Sequence, residues 1–152
     1  MKLSLLRKPA LQYLVHKYRP SSSAKTSLHT CIFKVDRFGD FILSLGAIRR
    51  VTDQYGETNC ALVVSEMVEA FARKEFPDAK IIALNTYGGG IKESFRLHPG
   101  TVPLLDRYSF EQLVCLRHQR TLFHNLALTR IQSRHSYGAA NETFGKTQGP
   151  PY

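Results

Sequence analysis

The stretch CIFKVDRFGDFILSLGAIRRVTDQYGETNCALVV, residues 31–64, decides the fold. It opens with CIFKV, a short apolar run of the kind that forms a buried strand. In DFILSLGAIRRVTDQY, which follows, Phe41, Leu45, Ile48 and Thr52 recur at helical spacing and line one face. CALVV then returns to the strand pattern. Strand, helix and strand in so short a span make a βαβ unit, with parallel pairing and a right-handed crossover. The alternation continues downstream. SEMVEAFARKEF reads as a helix with Ser65 as its N-cap and Pro77 as its stop, and KIIAL as a third strand. FEQLVCL reads as a fourth strand and RTLFHNLALTRI as the helix after it. The class expected is α/β, a Rossmann-like parallel sheet flanked by helices on both faces.

Around this body lie three segments of different character. Residues 1–30 form a basic leader, partly helical because Leu3, Leu6, Ala10 and Leu14 repeat at helical spacing, and ending in the turn-rich PSSSAKTS. Residues 31–140 are the folded domain. Residues 85–108, with NTYGGG and HPGTVPLLDRY, read as a long connection carrying a short helix around Ile91 to Leu97. Residues 141–152 are polar and rich in Gly and Pro, which predicts a flexible tail.

With 152 residues the chain is long enough to bury a core without disulfides or metal. No apolar run approaches the ~20 residues that cross a bilayer, and no secretory signal is present, so a cytoplasmic location is expected. Cys31, Cys60 and Cys115 each sit in or beside an apolar run, with no CxxC spacing; they are expected as buried, reduced thiols on neighbouring strands. The net charge of +9 is unevenly spread, since no acid precedes Asp36 and none lies between Gln112 and Asn141. Such fields attract anions. The leader, through residues 1–20, can lie on an anionic membrane surface or pack on the domain itself.

The chemistry gathers at the first strand-to-helix turn, DRFGD. In open α/β sheets, ligands bind at the carboxyl ends of strands beside helix N-termini. Gly39 is expected to allow a tight turn and a close substrate approach. Asp36 and Arg37 read as an ion pair or turn-bracing polar groups. Asp40 admits two readings: a helix cap, or a carboxylate aimed into the cleft as a general base. The turn has neither GxGxxG nor GxxxxGK[ST], and GGG at 88–90 lacks the strand-to-helix context of a nucleotide fingerprint.

IFKVDRFGDFILSLGAIRRV, ALVVSEMVEAF and FPDAKIIAL, taken in order, resemble the amino-terminal half of the family 9 glycosyltransferases, the heptosyltransferase-like enzymes of lipopolysaccharide core assembly. YSFEQLVCLRHQRTLFHNLALTRI resembles that family's fourth strand and following helix, so the likeness spans roughly residues 31–140. The resemblance implies the N-terminal, acceptor-side half of a GT-B fold. It also implies an inverting transfer that needs no metal or other cofactor, with a nucleotide-sugar donor in the complete enzyme. It assigns the catalytic base to Asp40. Arg37, Phe38 and Gly39, beside it in the turn, are expected to contact substrate. One departure is Leu45-Gly46-Ala47, where the family usually has a Thr-Pro-Ala-like run. A donor-binding domain is not recognisable, so the chain is expected to be truncated, a fragment, or a subunit with a separate donor-domain partner. Alone it is not expected to transfer sugar efficiently.

LRHQR follows the fourth strand and should open onto the same sheet edge. Arg117, His118 and Arg120 read either as a solvated basic loop or as a clamp for carboxylates or phosphates of an anionic glycan or glycolipid acceptor. Two other readings stay open. One is a non-catalytic basic module that binds acidic glycan or nucleic acid, although no nucleic-acid motif or interleaved aromatic stripe is present and nucleic acid is not expected. The other is a degenerate remnant that folds but performs no chemistry.

Overall fold

Strand β1, Thr26–Lys34, is the centre of the molecule, and its last five residues are all buried. A computed structural model describes residues 26–84, 105, 107–117, 124, 127, 128 and 130–138. After β1 come helix α1 (Phe38–Leu43) and helix α2 (Leu45–Tyr55), then β2 (Cys60–Ser65). Helix α3 (Glu69–Glu75) leads to β3 (Lys80–Leu84), and β4 (Tyr108–Cys115) and β5 (Gln132–Gly138) complete the sheet. The five strands lie in the order β3-β2-β1-β4-β5, every neighbouring pair parallel. This is the α/β, Rossmann-like arrangement.

The order reverses at β1, and the core divides accordingly. Ile32, Leu62, Val64 and Ile81 face Phe41, Ile48, Val68, Ala72 and Phe76 from the segments that connect β1 to β3. On the other face Cys31, Phe33, Val63, Ile82 and Leu84 pack with Leu105, Ala127, Leu128 and Ile131. Right-handed crossovers require this: moving out from β1 in opposite directions puts the connecting helices on opposite faces.

The structure departs from the sequence pattern in four places. β1 begins at Thr26, inside the stretch read as leader, because Thr26 to Leu28 pair with Tyr108 to Phe110 although they are mostly exposed. The single helix expected over residues 40–55 is two helices broken at Ser44, whose N–H bonds Phe41 O at 3.0 Å and whose Oγ donates to Asp40 O at 2.9 Å. That back-bonding competes with the helical ladder. Ser65 ends β2 and caps a short 3-10 turn, Glu66–Val68, its Oγ accepting from Met67 N at 3.3 Å, while α3 starts at Glu69. β5 has no counterpart in the sequence reading. The expected helix after β4 is helical at residues 124, 127, 128 and 130. Residues 1–25, 85–104 and 139–152, which include most of the leader, the short helix near 91–97 and the tail, lie outside the described residues.

The three thiols are free and buried, on β1, β2 and β4, which are adjacent strands. Cys31 and Cys115 lie in one core face and Cys60 in the other. Burial pushes the Cys31 thiol up and holds Cys60 at about 11, far from nucleophilic readiness.

Candidate functional site

β1 delivers the chain to the carboxyl edge of the sheet at the point where strand order reverses. Residues 35–37 form the connection, with Val35 still buried and Arg37 exposed. Arg37 takes the N-cap position of α1 in an extended conformation (φ −69°, ψ 160°) and makes no side-chain cap hydrogen bond. Gly39 lies inside the first turn of α1. Its φ is not positive, so the turn is made by residues 35–37 and does not depend on glycine. A Cβ on Gly39 would meet nothing within 4 Å, so the backbone there faces open space.

Asp40 is exposed in that same first turn. It is not the N-cap, since that position belongs to Arg37. A carboxylate in the first turn is still favoured by the helix dipole. Phe38, 45 % exposed, rests its ring edge-on against Phe71 of α3, with centroids 5.2 Å apart. Leu43, one turn after Asp40 and Gly39, is 86 % exposed. The accessible side of α1 therefore presents an open backbone, a carboxylate and an apolar side chain together.

Behind it lies a charged cluster. Lys34, the last residue of β1, is buried, and its Nζ is 2.7 Å from Asp36 Oδ2. Arg117, just beyond β4, pairs through Nη1 with Asp36 Oδ1. The ion pair of Asp36 is thus with Lys34 and Arg117, and the bracing expected of Asp36 and Arg37 is carried by Asp36. Leu116 N donates to Phe33 O at 3.0 Å and continues the β1–β4 ladder into the same spot. Burial lowers the Lys34 pKa, opposed by the neighbouring Asp40 carboxylate, and burial lowers that of Arg117 as well.

The structure therefore brings Arg37, Phe38, Gly39, Asp40 and Arg117 to one end of the sheet. His118 and Arg120 lie outside the described residues. The sequence reading did not single out Lys34, yet a signal was present: a lysine inside an apolar strand needs an anionic partner, and Asp36 is two residues on. Among the described residues no three His, Cys, Asp or Glu side chains gather as metal ligands. No helix there is long and apolar enough to cross a membrane. Comparison with protein-family models, curated proteins and solved structures returns no match for this chain.

Proposed function

We propose that this domain is the acceptor-binding half of an inverting, metal-independent glycosyltransferase of the heptosyltransferase type. The observation that carries the reading is Asp40. It is exposed and free of the N-cap role, beside the open backbone of Gly39, at the carboxyl end of the central strand of a doubly wound parallel sheet. The motif likeness across residues 31–140 supports it. In the proposed reaction Asp40 takes the proton of an acceptor hydroxyl. The oxygen then forms its bond to the anomeric carbon of a nucleotide sugar from the face opposite the leaving group. The bond from that carbon to the nucleoside diphosphate breaks, and configuration inverts. Arg37, Phe38 and Gly39 border the acceptor, and the nucleotide belongs to a donor domain. A cytoplasmic setting at the inner face of the membrane, with an anionic glycan or glycolipid acceptor, fits this role.

Titration calorimetry separates this reading from a basic anion-binding module. An acidic lipopolysaccharide-core oligosaccharide should bind and a sugar nucleotide should bind far more weakly. Tight, salt-steep binding of random oligonucleotides without glycan binding overturns the proposal. In an assay supplied with a donor domain, Asp40→Ala should lower turnover at least ~100-fold. An unchanged rate would remove Asp40 from the chemistry.

A further inference from the structure

Every second side chain of a regular strand points to the same face of its sheet. Strands β1, β4 and β5 break that rule together. Leu28 and Cys31 pack in one core face, and so do Phe110 and Leu113, although each pair is three residues apart. Ser133 Oγ and Ser136 Oγ lie 3.0 Å apart, so β5 does the same. The ladder runs Leu28–Phe110–Ser133 and resumes at Thr30–Gln112–His135, passing over His29, Glu111 and Arg134. Each strand therefore bulges at the same level and turns two consecutive side chains to the opposite face, a device that re-aims side chains beside functional sites.

That face is the one on which Ile32 meets α1, α2 and α3. Contacts fix the placement. His29 stacks on Tyr55 of α2 with centroids 4.5 Å apart, and Gln112 Nε2 donates to Thr30 Oγ1 at 2.8 Å. Arg134 and His135, though consecutive, both reach Glu111, at 3.4 and 3.8 Å. The helices cover β1, β2 and β3 here, but no residue of β4 or β5 belongs to that core. The side chains of Glu111, His135 and Arg134 stay 42 %, 63 % and 77 % exposed. Tyr137, in register with Val114 and Ile32 and so on the same face, is 54 % exposed.

A cavity of about 330 Å³ opens on this array, with Ser27, Ser109, Glu111, Gln132 and Arg134 in its lining. That volume is at the low end of the roughly 300–1,000 Å³ of small-molecule sites. Tyr137 lies three residues beyond Arg134 on β5, about 10 Å at the rise of a strand. Hydroxyls, amides, a carboxylate and a guanidinium offer donors and acceptors side by side. Glu111 is balanced by Arg134, so the array carries little of the chain's charge of +9 and gives a polyanion no special hold. A sugar hydroxyl is uncharged and both donates and accepts, which matches this set. The exposed ring of Tyr137 gives the C–H face of a pyranose a surface to stack on. The span from cavity to ring suits a short oligosaccharide better than a single sugar.

We propose that the bulged face of β4 and β5 binds a neutral oligosaccharide, one unit hydrogen-bonded in the cavity and another stacked on Tyr137. The cavity lies toward the amino ends of the strands, and the site does not rest on the role given to Asp40.

The test uses the full chain, labelled with nitrogen-15 and titrated with maltotriose, cellotriose, mannotriose and N-acetylchitotriose. At least one should shift the backbone amides of Ser109, Glu111, Gln112, Arg134, His135 and Tyr137 along one saturable curve. Glycerol at matched hydroxyl concentration should not. Tyr137→Ala should weaken that binding about tenfold or more, and Tyr137→Phe, which keeps the ring, should retain it. Glu111→Gln should weaken it about tenfold. Tyr137 is exposed, so its variants test the contact without opening a core. Saturation by none of the four sugars, or a full response from glycerol, overturns the proposal. So does an unchanged affinity in Tyr137→Ala. Shifts confined to residues 37–43 would belong to the acceptor site proposed above and would equally remove this one. Tighter binding of a sulfated oligosaccharide or an oligonucleotide at the same amides would make the face an anion site and overturn it too.

Discussion

Lys34 sits in a strand segment with no solvent on either side, and its charge is tolerated because Asp36 meets it at 2.7 Å. Removing one partner of a buried ion pair leaves the other charge desolvated and uncompensated, which costs more than the intact pair contributes. Asp36→Ala strands two cations at once, so we expect a loss of about 3 kcal/mol in urea unfolding. Adding Lys34→Met to it should recover part of that loss, because a buried charge disappears with its desolvation cost. A double variant less stable than Asp36→Ala would show that the Lys34 bond to Leu116 O, at 3.3 Å, outweighs the cost of burying its charge without Asp36. At this scale the sequence was half legible. It marked the crowded turn and Asp40, since Gly-Asp before an apolar helix is a local pattern. It did not reveal the division of labour around Asp36, because Arg117 lies 81 residues away and meets it only through the β1–β4 pairing.

Among the elements, those with strong apolar periodicity were readable and those without it were not. β2 and β3 are found where CALVV and KIIAL placed them, as buried strands carry their own signal. β5 reads QSRHSYG, mostly exposed, and its place comes from its ladder with β4. Polar and charged residues such as Arg134 and His135 suit a sheet edge, where they discourage pairing with other chains, but they erase the pattern that identifies a strand. Two glycines measure the difference between an element held by propensity and one held by contact. Gly46 lies on an exposed side of α2 with nothing near its missing Cβ. Gly46→Ala should therefore stabilise by about 0.5–1 kcal/mol through helix propensity. Gly138 ends β5 against β4, and a Cβ there would lie 2.9 Å from Cys115 Cβ and 3.1 Å from Cys115 O. Gly138→Ala must push β5 from its partner, and a loss of about 1–3 kcal/mol is expected. Paired urea titrations should give shifts of opposite sign. Equal signs would contradict the packing of one of the two elements.

At the scale of the whole molecule, two cores meet at β1, one holding the thiols of Cys31 and Cys115 and the other that of Cys60. Cys31 belongs to one face and Cys60 to the other, and their strands are adjacent, with Thr30 opposite Cys60 and Cys31 opposite Ala61. The sequence showed these as apolar-strand cysteines, while the face each occupies follows from strand order, which no local pattern encodes. Their titration reports on both cores together. A free cysteine thiol titrates near 9.0, whereas burial holds Cys60 at about 11 in the fold and shifts Cys31 in the same direction. Between pH 9 and 11 the unfolded chain has lost these protons while the folded chain keeps them, so stability present below pH 9 falls as pH rises. For Cys60 alone the loss is roughly 2 kcal/mol across that window. Lys34 opposes it: its folded pKa is lowered, so its burial penalty shrinks as pH climbs toward 10.5, the value for the free side chain. The thiols act on two core faces and Lys34 on a single site, so the net slope should be downward. Urea unfolding from pH 8 to 11 should show that decline, and Cys31→Ala with Cys60→Ala should flatten it even if the double variant is less stable at pH 8. An identical slope in the variant would mean that neither core excludes water at alkaline pH, and that the two faces do not close as packed.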